Sequence, residues 1–276
     1  MGPRAAVVLI VLIVLSCVLV GCAPSNDQTP QAMIARLEQS PEGQVLLAGI
    51  TAQGGLEAWA GTQVLALRTQ TKVFPEDGSI QTYVRRERFD IPGGNVVILS
   101  ADDNRSYKLG IYQGSPYMTD AGKPVDDLAR LRQAHAVCLN ARYVASIPFV
   151  FAGAKTELES AGETVADGRR FERLTIRHPA WQDEQLKDEI VGYFDAESGR
   201  LERYLFADPQ APGQSILAIL SDFRNVGPLV IPFGRDYWRA DSEGNPIAIL
   251  TTVTVEVAQY NPGMELQLFA PGRIGE

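Results

Sequence analysis

A chain of 276 residues, 45% hydrophobic and 21% charged, is too long for a minimal disulfide-stapled domain and is neither disordered nor collagen-like. Its 33 Asp and Glu outnumber 25 Lys and Arg, a net charge of −8 that excludes a protein holding nucleic acid mainly through phosphate contacts.

Arg4 precedes an uncharged run, Ala5 to Val20. As a helix it would span roughly 24 Å, short for a bilayer core of about 30 Å, which favours a signal-peptide hydrophobic region over a permanent span. Leu19-Val20-Gly21-Cys22 then resembles the bacterial lipobox, and a polar stretch from Pro24 to Thr29 follows. Cys17, after Val14-Leu15-Ser16, is a poorer candidate because more apolar sequence follows it. The resemblance implies a signal peptide over 1–21, a diacylglycerol-modified Cys22 as the new N-terminus, and a lipidated tether over 22–29. Ala23 after the cysteine implies, by analogy, the outer membrane of a bacterial envelope, with the protein facing the periplasm. Acyl chains at about 0.8 kcal/mol per buried methylene would anchor it stably. Cleavage removes Arg4, so the net charge falls from −8 to −9, and Cys138 is left without an intramolecular disulfide partner. The domain, residues 30–276, must rest on an ordinary core.

Thr29-Pro30 reads as a helix start, with Met33, Ile34 and Leu37 at helical spacing. The same helix continues over 44–52 and stops at Gly54-Gly55, and Leu56 to Trp59 makes one more turn. From Val64 the period becomes two. Leu67 to Val73 and Ile80 to Ile91 form a hairpin over Glu76 to Ser79, and 95–99, 105–112 and 116–119 are further short strands. Residues 126–143 read as a helix capped by Asp126-Asp127, with Leu128, Leu131, Ala134, His135, Cys138 and Leu139 on one stripe. Strands resume at 171–176, 189–194, 201–206, 216–223, 236–239 and 247–260. The last alternates cleanly, with Ile249, Thr251, Val253, Val255 and Val257 on one face.

This order of helix, meandering strands, helical insert and further strands resembles the LolA/LolB/RseB-like group of bacterial lipoprotein-carrier proteins. The resemblance is carried by Gly54-Gly55-Leu-Glu-Ala-Trp59, by Tyr193-Phe-Asp195-Ala-Glu-Ser-Gly199-Arg-Leu201, and by the end from Ile231-Pro232 through Tyr260-Asn261 to Leu268-Phe269-Ala-Pro271. It implies an α+β fold in one domain: a curved antiparallel β-sheet, an incomplete, half-open barrel wrapped around helices. These motifs specify turns and strand ends, not chemistry.

No G-x-S-x-G, S-x-x-K, H-E-x-x-H or glycine-rich phosphate loop is present. Two candidate ligands, His135 and Cys138, do not make a zinc site, and His178 before Pro179 reads as a surface residue. Paired carboxylates at 102–103, 126–127 and 183–184 read as turns or caps. In Arg85-Arg86-Glu87-Arg88, Arg86 and Arg88 share a face with Val84, whereas Arg85 shares the other with Tyr83 and Phe89. Either a charged outer face or a rim for a lipid headgroup or acidic partner fits. Trp59, Trp181, Trp238 and the run from Ile147 through Phe149 and Phe151 are the apolar candidates for a cavity wall, though they could equally fill a core.

The leading expectation is therefore a membrane-anchored, non-enzymatic envelope lipoprotein. It would bind a lipid or lipoprotein acyl chain in a half-barrel cavity lined by Trp59, Phe149, Phe151 and Trp238. No metal and no cofactor beyond the lipid on Cys22 is expected. The alternative is an interaction scaffold for another envelope protein. An envelope hydrolase is least favoured, and a buried polar cluster with displaced pKa values would revive it.

Overall fold

The computed structural model describes residues 29–101, 106–179, 187–208, 211, 213–241, 243–263 and 265–272. Cys22, Trp181, Asp102-Asp103 and Asp183-Glu184 lie outside them. Three helices open the described chain: α1 (Pro30–Leu37), α2 (Pro41–Ala52) and α3 (Gly55–Ala60). Pro30 and Pro41 occupy the first helical positions, where no N–H is needed. The hydroxyls of Thr29 and Ser40 cap α1 and α2, accepting from Ala32 N and Gly43 N at 3.2 and 3.0 Å.

The chain then builds β1 (Val64–Val73), β2 (Gln81–Asp90), β3 (Val96–Ala101), β4 (Ser106–Tyr112), β5 (Ser115–Asp120) and the short β6 (Lys123–Pro124). It crosses through α4 (Leu128–Ser146) and a 3-10 turn at Phe149–Ala152. The return runs through β7 (Glu157–Ala166), β8 (Arg169–Pro179), β9 (Lys187–Asp195), β10 (Leu201–Ala207), β11 (Ser215–Val226), β12 (Leu229–Ala240) and β13 (Pro246–Tyr260). All thirteen strands form one antiparallel sheet in the order β6-β5-β4-β3-β2-β1-β13-β12-β11-β10-β9-β8-β7. Two meanders are thus joined where β13 returns to pair with β1. The ends, β6 and β7, do not pair, so the barrel is half open, as the resemblance implied. Bulges in the β1–β13, β9–β10, β12–β13 and β7–β8 ladders bend the strands around the core.

The helices are fastened to the sheet by close backbone approaches. Gly54 has φ +119°, and a Cβ there would stand 2.6 Å from the Pro228 carbonyl and 3.0 Å from Leu229 Cα. Beside it Val230 N donates to Gln53 O at 3.0 Å, which ties the α2–α3 junction to the β11–β12 turn. Gly49 lets α2 lie against the Phe194 ring of β9. The Asp195 to Gly199 turn is a built corner. Asp195 Oδ1 accepts from Ser198 N and Ser198 Oγ at 2.8 Å, and Oδ2 pairs with Arg169 at 2.7 Å.

Several expectations are corrected. β7 was not anticipated, because as an edge strand carrying Glu157, Glu159 and Glu163 it has no apolar alternation. β12 begins at Leu229 rather than 236, running through Pro232 and Gly234, residues that are uncommon inside strands. Val257 does not continue the inward row of β13. The register skips Glu256, so Val255 opposes Thr69 while Val257 opposes Arg68 and lies 46% exposed. α4 is capped by Asp127 as expected, but Leu128 is 72% exposed instead of lying on the buried stripe with Ala134 and Cys138. His178 is buried, not at the surface: even-numbered β8 residues from Leu174 to His178 face the core. The final segment is no strand but a 3-10 turn, Leu266–Phe269, seating the Phe269 ring against Val64 and Val97 on the outer face.

Gly54→Ala should lower stability by about 3 kcal/mol, since it combines a left-handed φ with a backbone clash. Gly55→Ala, at φ +87° with open space at its Cβ, should cost only about 1 kcal/mol. Thermal unfolding of both variants checks this, and equal losses would remove the close approach as the cause.

Candidate functional site

Register decides what the concave face presents. The inward row nearest the helices reads Leu65, Phe89, Val96 and Ile111 across β1 to β4, with Tyr260 on β13. The next reads Leu67, Glu87, Ile98 and Leu109; the one after it, Thr69, Arg85, Ser100 and Tyr107. On β12 the inward residues are Leu229, Ile231, Phe233, Arg235 and Tyr237. Along each of these strands the surface passes from apolar to polar.

Helices cover the apolar end. Leu37, Leu46, Ile50 and Leu56 of α1 to α3 pack with Phe149 and Phe151 of the 3-10 turn, and all are buried. Trp59 stacks on Phe149 with centroids 4.6 Å apart and planes 2° from parallel. The Arg36 guanidinium donates to the carbonyls of Ala152 and Gly153 at 2.8 and 3.0 Å, fixing α1 to that turn. Burial lowers the Arg36 pKa from its ordinary value. The structure therefore brings Trp59, Phe149 and Phe151 together, filling one core. It does not bring Trp238 to them. Trp238 pairs with Leu217 on the opposite, convex face, in a second apolar cluster with Phe171, Tyr193 and Leu217.

A belt of polar groups crosses the concave face beyond the apolar end. Tyr143 of α4 places its hydroxyl 2.6 Å from His178 Nε2, while His178 Nδ1 donates to the Pro179 carbonyl at 3.1 Å. The Tyr204 and Tyr237 hydroxyls stand 3.4 Å apart, and full burial pushes the Tyr204 pKa well up. Arg235 of β12 and Glu87 of β2 are 7% and 8% exposed. Among the described residues neither makes a hydrogen bond or a salt bridge within 4 Å, nor does Arg85, whose guanidinium lies 5.4 Å from the Tyr83 ring centroid. Burial raises the Glu87 pKa, and the opposing pull of Arg235 and then Arg85 does not cancel it. Cys138, fully buried on α4 near Glu87, is pushed up to about 12, chiefly by burial.

This belt was missed as a unit. The alternation Tyr83, Arg85, Glu87, Phe89 did put Arg85 on Phe89's face, and the same reading of Ile231, Phe233, Arg235 would have found Arg235. Two clefts, of about 720 and 430 Å³, flank the outer side of α2 at Gln44 and Ala48, open widely and contain none of the four expected cavity residues. Among the described residues no three metal-ligating side chains cluster, and no helix is long and apolar enough to cross a membrane.

No family model matches the chain, and no curated protein matches it. Solved structures do. A LolA superfamily protein from Nitrosomonas europaea superposes with a TM-score of 0.53 at 8% identity, covering 83% of this chain and 97% of that one. A DUF1329 family protein from Desulfovibrio piger gives 0.50 at 10% identity, with 84% and 98% covered. The chain has a LolA-like fold.

The raised Glu87 pKa makes stability depend on pH. The folded state keeps this proton to higher pH than the unfolded chain does, so the contribution is full below about pH 4.5 and is lost as pH rises through the folded pKa. Glu87→Gln should therefore match the native protein in Tm near about pH 4 and exceed it near about pH 8. A variant that is less stable at about pH 8 would mean that the arginines hold the carboxylate firmly.

Proposed function

We propose that this protein is a non-enzymatic, lipid-anchored envelope lipoprotein that binds a lipid or acyl chain inside its half-barrel. One observation carries the reading: the apolar concave surface of an open-edged sheet is closed by helices and a 3-10 turn instead of by further strands. A strand could leave only by breaking a ladder of backbone hydrogen bonds. Helices α1 to α3 satisfy their own backbone, so they can swing away at the cost of side-chain contacts and of the one bond from Val230 N to Gln53 O, instead of a whole ladder. Phe149, Phe151 and Trp59 would then line the space they now fill, and the Arg36 bonds to Ala152 and Gly153 are among those that must open.

The buried polar belt does not make the protein a hydrolase on this reading. Cys138 with a pKa near 12 is no nucleophile at neutral pH, and both nitrogens of His178 are engaged. The scaffold alternative is favoured by the convex face, where Val191, Leu205, Ile219 and Trp238 are only half-buried.

Native mass spectrometry of residues 23–276, exported to a bacterial periplasm, tests the ligand. Solvent-extractable phospholipid or fatty acid is expected, and a mass that stays bare after incubation with lipids would favour the scaffold. Arg36→Gln should lose about 1–3 kcal/mol of stability and take up a fluorescent fatty-acid analogue roughly tenfold faster, followed by stopped-flow fluorescence. The anchor is tested separately. Cys22→Ser should abolish incorporation of radiolabelled palmitate, and retained label would place the lipid elsewhere.

A further inference from the structure

The proposed ligand has two ends, and the concave face differs correspondingly along its length. Adjacent inward rows lie about 7 Å apart, two residues along a strand. Within two such steps, Leu65 and Phe89 give way to Thr69 and Arg85, and on β12 Phe233 gives way to Arg235 and Tyr237. Arg235 and half-exposed Arg85 face the same place, and no side-chain atom of either is among the fully buried polar atoms that lack a partner, so their donors stay open to solvent and to a ligand. Their guanidinium groups form no hydrogen bond or ion pair among the described residues, although both act on the one Glu87 carboxyl and so face a common space. The hydroxyls of Thr69 and Thr71, both buried, stand on the inward side of β1 between them.

We propose that the concave face binds an amphiphile with an anionic oxygen headgroup, carboxylate or phosphate, held by Arg85 and Arg235 while its chain runs toward Leu65 and Phe89. This rests on the reading that the half-barrel takes a hydrophobic ligand. Two planar forks supply up to ten N–H donors, the arrangement that recognises carboxylate and phosphate oxygens in pairs. Glu87 does not oppose the headgroup. Burial favours its neutral form, and in that form it can donate a hydrogen bond to the same oxygens.

Four probes with one lauroyl chain test this on purified residues 23–276: lysophosphatidic acid, laurate, lysophosphatidylcholine and monolaurin, each titrated below its critical micelle concentration. Lysophosphatidic acid and laurate should bind at least about tenfold tighter than uncharged monolaurin. Preference for one of the two anions identifies the source of the headgroup. In Arg85→Gln/Arg235→Gln the preference should fall to within about twofold while monolaurin affinity is unchanged. Arg85→Gln alone, at a half-exposed position, should cut it several-fold and covers the case that loss of buried Arg235 prevents folding. Equal affinity for all four probes, or a preference that survives both substitutions, overturns the headgroup assignment alone. Failure of every probe to bind overturns it together with the ligand-binding reading.

Discussion

The antiparallel ladder between β1 and β13 is the constraint on which the remaining architecture depends. It is the sheet's one junction between the two meanders, and it pairs residues nearly two hundred positions apart, such as Leu65 with Tyr260. Because side chains alternate with period two, a slip of one residue here would turn a whole meander inside out. The bulge at Glu256 makes such a shift once, deliberately. It lets Thr71, Thr69 and Val255 face inward on one side of it while Leu67 and Ala258 still face inward on the other. Asn261 locks the end of the ladder, its side-chain oxygen accepting from Gln63 N and Val64 N at 2.7 and 3.0 Å.

With that register set, covering the inner face becomes the next problem. A sheet closed on itself would fill its interior with its own side chains, but one whose ends β6 and β7 do not meet leaves an apolar floor that other elements must bury. The chain meets this from both sides of its β1 and β7 starts. α1 to α3 arrive before β1, and α4 with the 3-10 turn arrives before β7, so each meander is preceded by its own covering element. The two covers meet at Arg36 and at the Trp59–Phe149 stack. A cover assembled from two separate pieces of chain is held mainly by side chains, with one backbone bond from Val230 N to Gln53 O at the α2–α3 junction.

Much of this was legible in the sequence, and the failures have common causes. The helix start at Thr29-Pro30, the Gly54-Gly55 stop and the Asp195 to Gly199 turn were readable because they are local backbone chemistry, whereas the second start at Ser40-Pro41 splits in two what reads as one helix. β7 and the first half of β12 were not, because edge exposure erases alternation in one and Pro232 and Gly234 punctuate the other. Trp238 illustrates a different limit. Size and aromaticity placed it among cavity candidates, yet only the pairing of Trp238 with Leu217 reveals that it faces outward. His178 failed in the reverse direction: a histidine before proline reads as a strand end, but Leu174 and Ile176 set a parity that carries it inward. The LolA-like likeness rested on turns and strand ends and therefore reached the fold without reaching any site.

The strongest case for a functional interior comes from comparing two charged clusters within this one molecule. At the convex corner Arg169 pairs with Glu202 and Asp195, Arg203 with Asp167, and Arg200 with Glu202, while the Arg169 and Arg203 guanidiniums also cover the Phe171 ring. Glu202 and Asp195 are 6% and 3% exposed, as buried as Glu87, yet each is satisfied. The chain is thus capable of burying carboxylates with partners where structure alone is at stake. On the concave face Arg235 and Glu87 are buried to a similar depth and Arg85 is half-exposed, with no hydrogen bonds or ion pairs among the described residues. The contrast lies in access: Arg200 Nε at the convex corner is fully buried without a partner, whereas no side-chain atom of the concave trio is. Donors left open beside an apolar floor are what the proposed two-ended ligand requires.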